Sequence, residues 1–308
     1  MASIEALRYP RAHWQPYLVM AAGVFVGSIG VVFIRNAQLA QIPTIAITAL
    51  RLLLTCIILT PLILQRYQTQ LHQLTLKDLL FTVLAGVTFA FSLITGFESL
   101  NHTTILVAGV LGSSVPLWVA LMEHGILKSP LPRKVWMGML LALFGSTLIS
   151  LSGLGGSAGT GSNPLLGGGL ALVSAVITAV YFLCGRSIRP RISLAPYIWL
   201  VCIFATLTAL GVAFFTHTSL TGYTLDGYFW ILLITLGPQL VVQSSFNYAL
   251  GHFPATIVGL VGQLVTVGNA IVALLVYNQV PLPVQVAGSV VILAGVALAN
   301  MRHQPKRE

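Results

Sequence analysis

The chain has 308 residues, of which 56% are hydrophobic and only 7% carry a charge, and its formal net charge is +9. A soluble domain usually has about 25% charged residues, so this composition excludes a water-soluble globular protein and indicates an integral membrane protein. The positive charge does not indicate a nucleic-acid partner, because the 15 lysines and arginines are scattered between apolar stretches, as membrane orientation requires.

Ten apolar stretches follow one another along the chain, and each is long enough to cross a bilayer as an α-helix of roughly 20 residues. They cover residues 17–34, 44–64, 79–97, 103–127, 134–152, 167–184, 195–215, 228–248, 254–277 and 283–301. A helix satisfies its own backbone hydrogen bonds, which makes it the expected spanning structure. The predicted fold class is an all-α integral membrane protein with ten transmembrane helices.

The lysines and arginines alternate strongly between one side of the predicted membrane and the other. All except Arg35 and Arg51 lie on the two tails or on every second loop, which share one side if all ten stretches span. Positively charged loops remain in the cytoplasm. The pattern therefore predicts a multi-pass protein of the inner membrane with both termini in the cytoplasm.

The chain also repeats itself at an offset of 150 residues, since residues 102–145 align without gaps with residues 252–295. One histidine and four glycines coincide, at His102/His252, Gly109/Gly259, Gly112/Gly262, Gly138/Gly288 and Gly145/Gly295. Each half has five helices, an odd number, so the second half is expected to enter the membrane upside down. Inverted repeats are typical of secondary transporters, whose substrate sites lie near the midplane between the halves.

The repeat and the spans together predict the domain organisation. Residues 1–152 form the first five-helix repeat and residues 167–302 the second. Residues 153–166 form a linker on the outer side, which is rich in glycine and serine and therefore flexible, and residues 303–308 form a cytoplasmic tail.

Five segments carry a resemblance to a known family. They are VGSIGVVFIRNAQ (26–38), TALRLLLT (48–55), GFESLNHTTILVAGVLGSSVPLWVAL (96–121), ALVSAVITAVYFLCGR (171–186) and FNYALGHFPATIVGLVGQL (246–264). With two tandem five-helix repeats, they resemble the EamA family of the drug/metabolite transporter superfamily, and Arg51 matches the arginine of its Ala-Leu-Arg-Phe element. The Gly-Glu pairs that the family often has after the fourth and ninth helices are replaced by Lys128-Ser129 and Asn278-Gln279. The resemblance implies a ten-helix carrier of small metabolites, frequently an exporter of amino acids or related compounds.

Two prolines lie near the centres of predicted spans, Pro116 in 103–127 and Pro238 in 228–248. Each removes a backbone donor and frees the carbonyl four residues earlier. Such backbone is tolerated inside a membrane only against protein or a water-filled cavity, and interrupted helices mark the sites of many transporters. The prolines therefore predict helix breaks at a cavity, with a simple packing kink as the alternative.

Three amides, Gln239, Gln243 and Asn247, follow the second proline at intervals of four residues and form one stripe along a helix. Polar groups facing lipid are costly, so the stripe faces either a cavity or a neighbouring helix, to which amides hydrogen-bond. We predict a cavity at Gln239 and Gln243. Asn247 remains a candidate for the cavity wall, although a packing role is favoured for it.

The offset of 150 residues places Phe89 and Leu93 opposite Gln239 and Gln243. One wall of the chamber would then be aromatic and aliphatic while the other is polar, which suits an amphipathic solute. We hypothesise that the two glutamines hydrogen-bond its polar end, while Phe89 and Trp118 contact its apolar body.

Further residues could line the same chamber. They are Ser114, which shares a helix face with Trp118, and Tyr181 and Gln263. An ordinary packing role is the alternative for each.

Three charged residues are candidates for coupling or gating. Glu98 closes the span 79–97 and Glu123 lies in the last turns of 103–127; a buried carboxylate in either place could carry a proton, and a carboxylate at the interface is the alternative. Arg51 lies about 10 Å inside the outer end of its span. It either snorkels to the membrane surface, pairs with a carboxylate or attracts an anionic group.

The sequence as a whole predicts a secondary transporter that exports small amphipathic metabolites, amino acids or related compounds, by alternating access. The alternatives are a nucleotide-sugar or organophosphate antiporter of the same superfamily and a non-transporting membrane receptor or scaffold. The expected partners are a small-molecule solute and membrane lipids, and the protein is expected to function as a monomer.

Enzymatic activity is not expected, because the sequence has no H-E-x-x-H motif and no paired aspartates within the spans. The GxxxxGK[ST] loop that binds nucleotide phosphates is also missing from the sequence. The three cysteines, Cys56, Cys184 and Cys202, are far apart and predict neither a disulfide nor a metal site. No cofactor is predicted.

Overall fold

The computed structural model describes residues 14–102, 111–125, 132–152, 163–277 and 282–300, which are almost entirely helical. The helices of the first half are α1 Gln15–Leu39, α2 Thr44–Arg66, α3 Gln68–His72, α4 Leu76–His102, α5 Val115–Gly125 and α6 Arg133–Ser152. Those of the second half are α7 Pro164–Ile188, α8 Leu194–Phe215, α9 Leu225–Ile234, a π-helix Thr235–Val242, α10 Gln243–Leu250, α11 Ala255–Gly262, α12 Leu264–Tyr277 and α13 Pro283–Asn300.

The helices of the second half begin at nearly the same positions as those of the first half, once the offset found in the sequence is added. α2 begins at Thr44 and α8 at Leu194, while α6 begins at Arg133 and α13 at Pro283. The counterpart of α4 is the continuous run of α9, the π-helix and α10. The repeat in the sequence is therefore also a repeat of helix positions.

Within the described ranges, six helices are long and apolar enough to cross a membrane. They are Gln15–Ile34, Thr44–Arg66, Leu76–Ser99, Leu165–Ile188, Leu194–Phe215 and Leu225–Leu250. Ala255–Asn269 and Val286–Ala299 are shorter apolar helices, and part of the predicted span 103–127 lies outside the described residues. The chain is thus an all-helical, multi-pass membrane protein, and the number of ten spans stays a prediction.

Large apolar side chains cover the outside of the helix bundle. Examples are Ile57 on α2, Leu84 on α4, Leu140 on α6 and Ile271 on α12, all of which are exposed. Extensive apolar surfaces of this kind are rare on soluble monomers. They suit contact with lipid chains, in agreement with the low charge content.

Three predicted spans are interrupted rather than continuous. The span 228–248 passes through the π-helix, and the span 254–277 is broken at Gln263, between α11 and α12. In the span 103–127, residues 113–114 form a turn immediately before α5. Hydropathy gives the apolar length of a segment, but it does not show where proline and glycine break the helix.

Polar residues begin two of the long helices. The Asn163 side chain accepts a hydrogen bond from Leu166 N (3.1 Å) at the start of α7. Before α4, Thr75 and Asp78 form a reciprocal pair, in which Asp78 N donates to Thr75 Oγ1 (3.2 Å) and Thr75 N donates to Asp78 Oδ2 (3.3 Å). These caps satisfy backbone amides that have no partner within the helix. They therefore fix where α4 and α7 begin, just before the apolar residues of each helix.

The last helices of the two halves, α6 and α13, cross at four glycines. A Cβ on Gly138 would overlap the carbonyl oxygen of Gly295, and one on Gly145 would lie 2.6 Å from that of Gly288. The two contacts run in opposite order along the two helices, so α6 and α13 are antiparallel. Small residues allow the backbones to approach this closely.

Two contacts join residues that are 150 positions apart. Cys56 Sγ of α2 lies 3.6 Å from Thr206 Oγ1 of α8, and Gln263 Nε2 donates a hydrogen bond to Ser113 O (2.9 Å). Equivalent positions of two repeats meet only where the repeats face each other. These contacts therefore lie in the interface between the halves.

Candidate functional site

The π-helix follows from the pair Gly237-Pro238 at its centre. Proline has no N–H to donate, and its ring clashes with the carbonyl four residues earlier, so the helix widens there instead of continuing as an α-helix. Gly30 of α1 makes room for the ring, since a Cβ on it would lie 2.5 Å from Pro238 Cγ. The widened turn is thus held against α1.

A cavity of about 180 Å³ lies beside this turn. Its walls come from α2, α4, α7 and the run of the π-helix and α10, and the lining residues are Arg51, Phe89, Leu93, Tyr181, Phe182, Pro238, Gln239, Val242, Gln243, Phe246 and Asn247. The cavity combines three amides, a guanidinium and a phenol with aromatic and aliphatic side chains. Such a mixture is typical of small-molecule sites.

A hydrogen-bonded network fixes the amide wall of this cavity. Gln239 Nε2 donates to Gln243 Oε1, and Gln243 Nε2 donates to Tyr181 OH (3.5 Å). Asn247 Nδ2 donates both to Tyr181 OH (2.7 Å) and to Gln243 O (2.8 Å). The three amides therefore pack against one another and at the same time line the cavity, which combines the two alternatives that the sequence left open.

The hydroxyl of Tyr181 is the point where the polar and aromatic walls meet. It accepts hydrogen bonds from Gln243 and Asn247, and its ring centroid lies 4.8 Å from that of Phe89. A phenol has one proton to donate and can accept two hydrogen bonds. Since both acceptor positions are occupied, Tyr181 can offer any further partner only its proton.

Arg51 is buried in the cavity wall and does not snorkel. Its side chain is only 5% exposed, and its Nε has no hydrogen-bond partner among the residues that the structure describes. A guanidinium remains charged in proteins. The cavity therefore contains a buried positive charge.

Comparison with known proteins identifies the family. A model of the EamA-like transporter family matches residues 14–151 and again residues 165–301. The chain belongs to the EamA-like transporter family. It is 26% identical over 205 residues to the uncharacterized transporter YetK of Bacillus subtilis (strain 168), a stretch that covers 66% of this chain and 61% of that protein. A solved crystal structure has the same fold, with a TM-score of 0.78 and 16% identity over 94% of this chain and 98% of the other.

Four predicted site residues of this EamA-like protein are not among the residues that line the cavity. Trp118 Nε1 donates to Ser114 Oγ (3.1 Å) at the start of α5. Gln263 bonds to Ser113 O and accepts from Ser146 Oγ (3.1 Å). Pro116 packs near Gly259. The hypothesis that Trp118 contacts the same solute as Phe89 therefore has no support from the geometry.

The two candidate gating carboxylates also lie away from the cavity. Glu123 is buried and accepts hydrogen bonds from Ala255 N (2.7 Å), Thr256 N (3.1 Å) and Thr256 Oγ1 (2.6 Å). It thereby caps the N-terminus of α11 and links the first half to the second. Glu98 is half-exposed and lies 3.2 Å from His102 Nε2, one turn along α4.

The first and second halves also enclose a larger crevice of about 830 Å³, between α1, α12 and α13. Apart from Ser28, whose hydroxyl donates to Val24 O (2.7 Å), its side chains are almost all apolar, including Phe25, Leu264 and Leu293. A crevice that offers so few polar groups cannot orient a polar solute. The smaller cavity is therefore the candidate site.

The sequence analysis missed three lining residues, Phe182, Val242 and Phe246. Val242 and Phe246 lie three and seven positions after Gln239, so they share the face of its helix according to the i, i+3, i+4, i+7 pattern. Extending the amide stripe by this pattern would have identified both. No comparable pattern marks Phe182.

Proposed function

We propose that this EamA-like protein is a secondary transporter that exports small amphipathic metabolites, amino acids or related compounds, by alternating access across the inner membrane, with both termini in the cytoplasm. The observation that carries the proposal is the cavity at the helix break, which has an amide wall on one side and aromatic rings on the other. We also propose that it functions as a monomer.

The packing of the two halves supports an inverted repeat. α6 and α13 occupy equivalent places in the halves, yet they cross antiparallel at their glycines. Contacts between equivalent residues, such as Cys56 with Thr206, are expected along a two-fold axis that relates the halves. Carriers with inverted repeats bind their cargo near this axis and expose it alternately to the two sides.

The size of the cavity distinguishes among solutes. Pockets for drug-sized ligands measure about 300–1,000 Å³, so a cavity of about 180 Å³ favours a compact metabolite over a nucleotide sugar. A small organophosphate remains the second candidate, because Arg51 supplies a positive charge. A receptor or scaffold would move no solute at all.

A transport assay tests the proposal. Proteoliposomes are loaded with one unlabelled amino acid at a time from a panel. If the protein carries that amino acid, they would take up its labelled form from outside by counterflow. Gln239→Ala and Gln243→Ala each remove one amide from the wall and are expected to weaken apparent affinity roughly tenfold, the cost of about one or two buried hydrogen bonds.

Gln70→Ala is the matched control, because Gln70 is an exposed amide on α3. Its transport should equal that of the wild type. If both cavity variants keep the wild-type affinity, the amide wall does not bind the solute. If the wild type carries no member of the panel, the proposed amino-acid cargo is wrong.

A further inference from the structure

We infer that Arg51 is an anion-binding subsite of the cavity and that the solute carries a carboxylate. The inference rests on the proposed transport function, whose cargo it defines more closely. Arg51 lines the cavity, and only 5% of it is exposed. Its Nε has no hydrogen-bond partner in the described part of the chain, so one donor of this charged group is unsatisfied by the protein.

The protein's own carboxylates are engaged elsewhere. Each of the four that the structure describes has a partner away from the cavity: Asp78 with Thr75 and Arg191, Glu98 with His102, Glu123 with the start of α11, and Asp226 with Trp230. A buried charge without a counter-charge is strongly unfavourable. Charged residues inside a membrane protein that lack a structural partner therefore point to a functional one.

The surroundings of Arg51 fit an oxyanion. The guanidinium presents a planar fork that binds carboxylates through two parallel hydrogen bonds. Tyr181 can add only a proton donor, because Gln243 and Asn247 occupy its acceptor positions. Besides the unpaired amide oxygen of Asn247, the cavity thus offers two donors, and the lining residues include no aspartate or glutamate.

The single charge favours a carboxylate over a phosphate. A phosphate monoester carries a charge of about −1.5 to −2 near neutral pH, and Arg51 is the only lysine or arginine among the lining residues. One guanidinium neutralises one carboxylate. The apolar body of the solute would then contact Phe89 and the other apolar side chains of the wall.

Three probes that share a phenyl group and differ in their head group test this assignment. They are 3-phenylpropanoate, 3-phenylpropanamide and 2-phenylethyl phosphate. Binding is measured as the rise in melting temperature of the detergent-solubilised protein, because a ligand stabilises the state that binds it. Counterflow in proteoliposomes measures transport of the same compounds separately.

Arg51→Gln removes the charge and is expected to weaken binding of the carboxylate probe roughly 10- to 100-fold, since its ionic hydrogen bonds are lost. Arg51→Lys keeps the charge but not the fork, so an intermediate loss is expected. Arg66→Gln is the matched control, because Arg66 is an exposed arginine at the other end of the same helix. It should bind as the wild type does.

The two proposals fail in different ways. Equal binding of the amide and the carboxylate, stronger binding of the phosphate, no binding of any probe, or unchanged binding by Arg51→Gln would each overturn the carboxylate subsite. Arg51-dependent binding without counterflow would instead support the subsite and overturn the transport function.

Arg51→Met distinguishes a binding role from a structural role. Removing an unpaired buried charge should leave the melting temperature of the empty protein unchanged or raise it, while the shift caused by 3-phenylpropanoate disappears. A melting temperature well below that of the wild type would show that Arg51 serves the fold, which contradicts the inference.

Discussion

At the scale of single residues, the hydroxyl of Tyr181 holds the polar wall together. It receives hydrogen bonds from side chains one turn apart on α10, Gln243 and Asn247. Both amides are buried, so each needs a partner for its N–H groups. A single oxygen atom therefore fixes the orientation of two side chains that line the cavity.

Tyr181→Phe is expected to destabilise the protein by about 1–3 kcal/mol, because it leaves a buried amide donor unsatisfied. Thermal or denaturant unfolding in detergent measures this change. Tyr67→Phe removes the hydroxyl of a half-buried tyrosine that follows α2, and serves as the control with little expected effect. Equal stability of the Tyr181→Phe variant and the wild type would mean that the network does not orient the amides.

The sequence predicted some residues of the cavity and not others for physical reasons. Gln239 and Gln243 could be found because amides in an apolar span stand out, and their regular spacing gives them one helix face. The position of Arg51 could not be decided, because a side chain near the end of a span can reach either the membrane surface or the interior. Which one it reaches depends on the helices that pack against α2.

At the scale of the helices, the π-helix determines which side chains face the cavity. It adds one residue to a turn, and each residue of an α-helix turns the chain by about 100°. The residues after Pro238 are therefore rotated relative to their positions in a continuous α-helix. The proline was visible in the sequence, but the widened turn was not, because proline can also cause a kink.

Pro238→Ala is expected to abolish or strongly reduce transport, because an α-helical turn would rotate Gln239 and Gln243 away from the cavity. The melting temperature should stay the same or rise, since proline inside a helix costs about 3 kcal/mol. Counterflow and thermal unfolding measure the two effects. Pro61→Ala is the control, because Pro61 also lies inside a helix but is exposed on α2.

The two proline variants are expected to differ in transport. Pro61→Ala should gain stability and transport the solute as the wild type does. Unchanged transport in Pro238→Ala would show that the π-helix is not needed to position the amides.

At the scale of the whole molecule, the repeat of the two halves could be predicted from the sequence. Glycines recur at fixed spacing because helix crossings need small residues, so their alignment in the sequence reflects packing such as that of Gly138 against Gly295. The all-helical membrane fold followed from composition. The break near Ser114 was marked in the sequence by Pro116, whereas no local pattern marks the break at Gln263, which bonds to Ser113 and Ser146 of the other half.

Equivalent positions of the two halves test the inverted orientation. Thr69 and Ser219 are 150 residues apart and both are exposed in short connections, while the three native cysteines are buried. In intact cells, a membrane-impermeant maleimide should label Ser219→Cys but not Thr69→Cys, which becomes reactive only after the cells are opened. Labelling of both or of neither in intact cells would indicate parallel halves.

The glycine crossing of α6 and α13 also bears on how fast the protein can change shape. At Gly138, Gly145, Gly288 and Gly295 the helices meet through backbone atoms, with the side chains of Ile292 and Ala299 packed beside them. The glycines themselves have no side chain that would change rotamer if one helix turned over the other. Under the alternating-access mechanism proposed above, we expect little friction between the four glycines. In that mechanism the crossing would act as a pivot, and the cost of rotation would be set by the remaining contacts, such as those of Glu123.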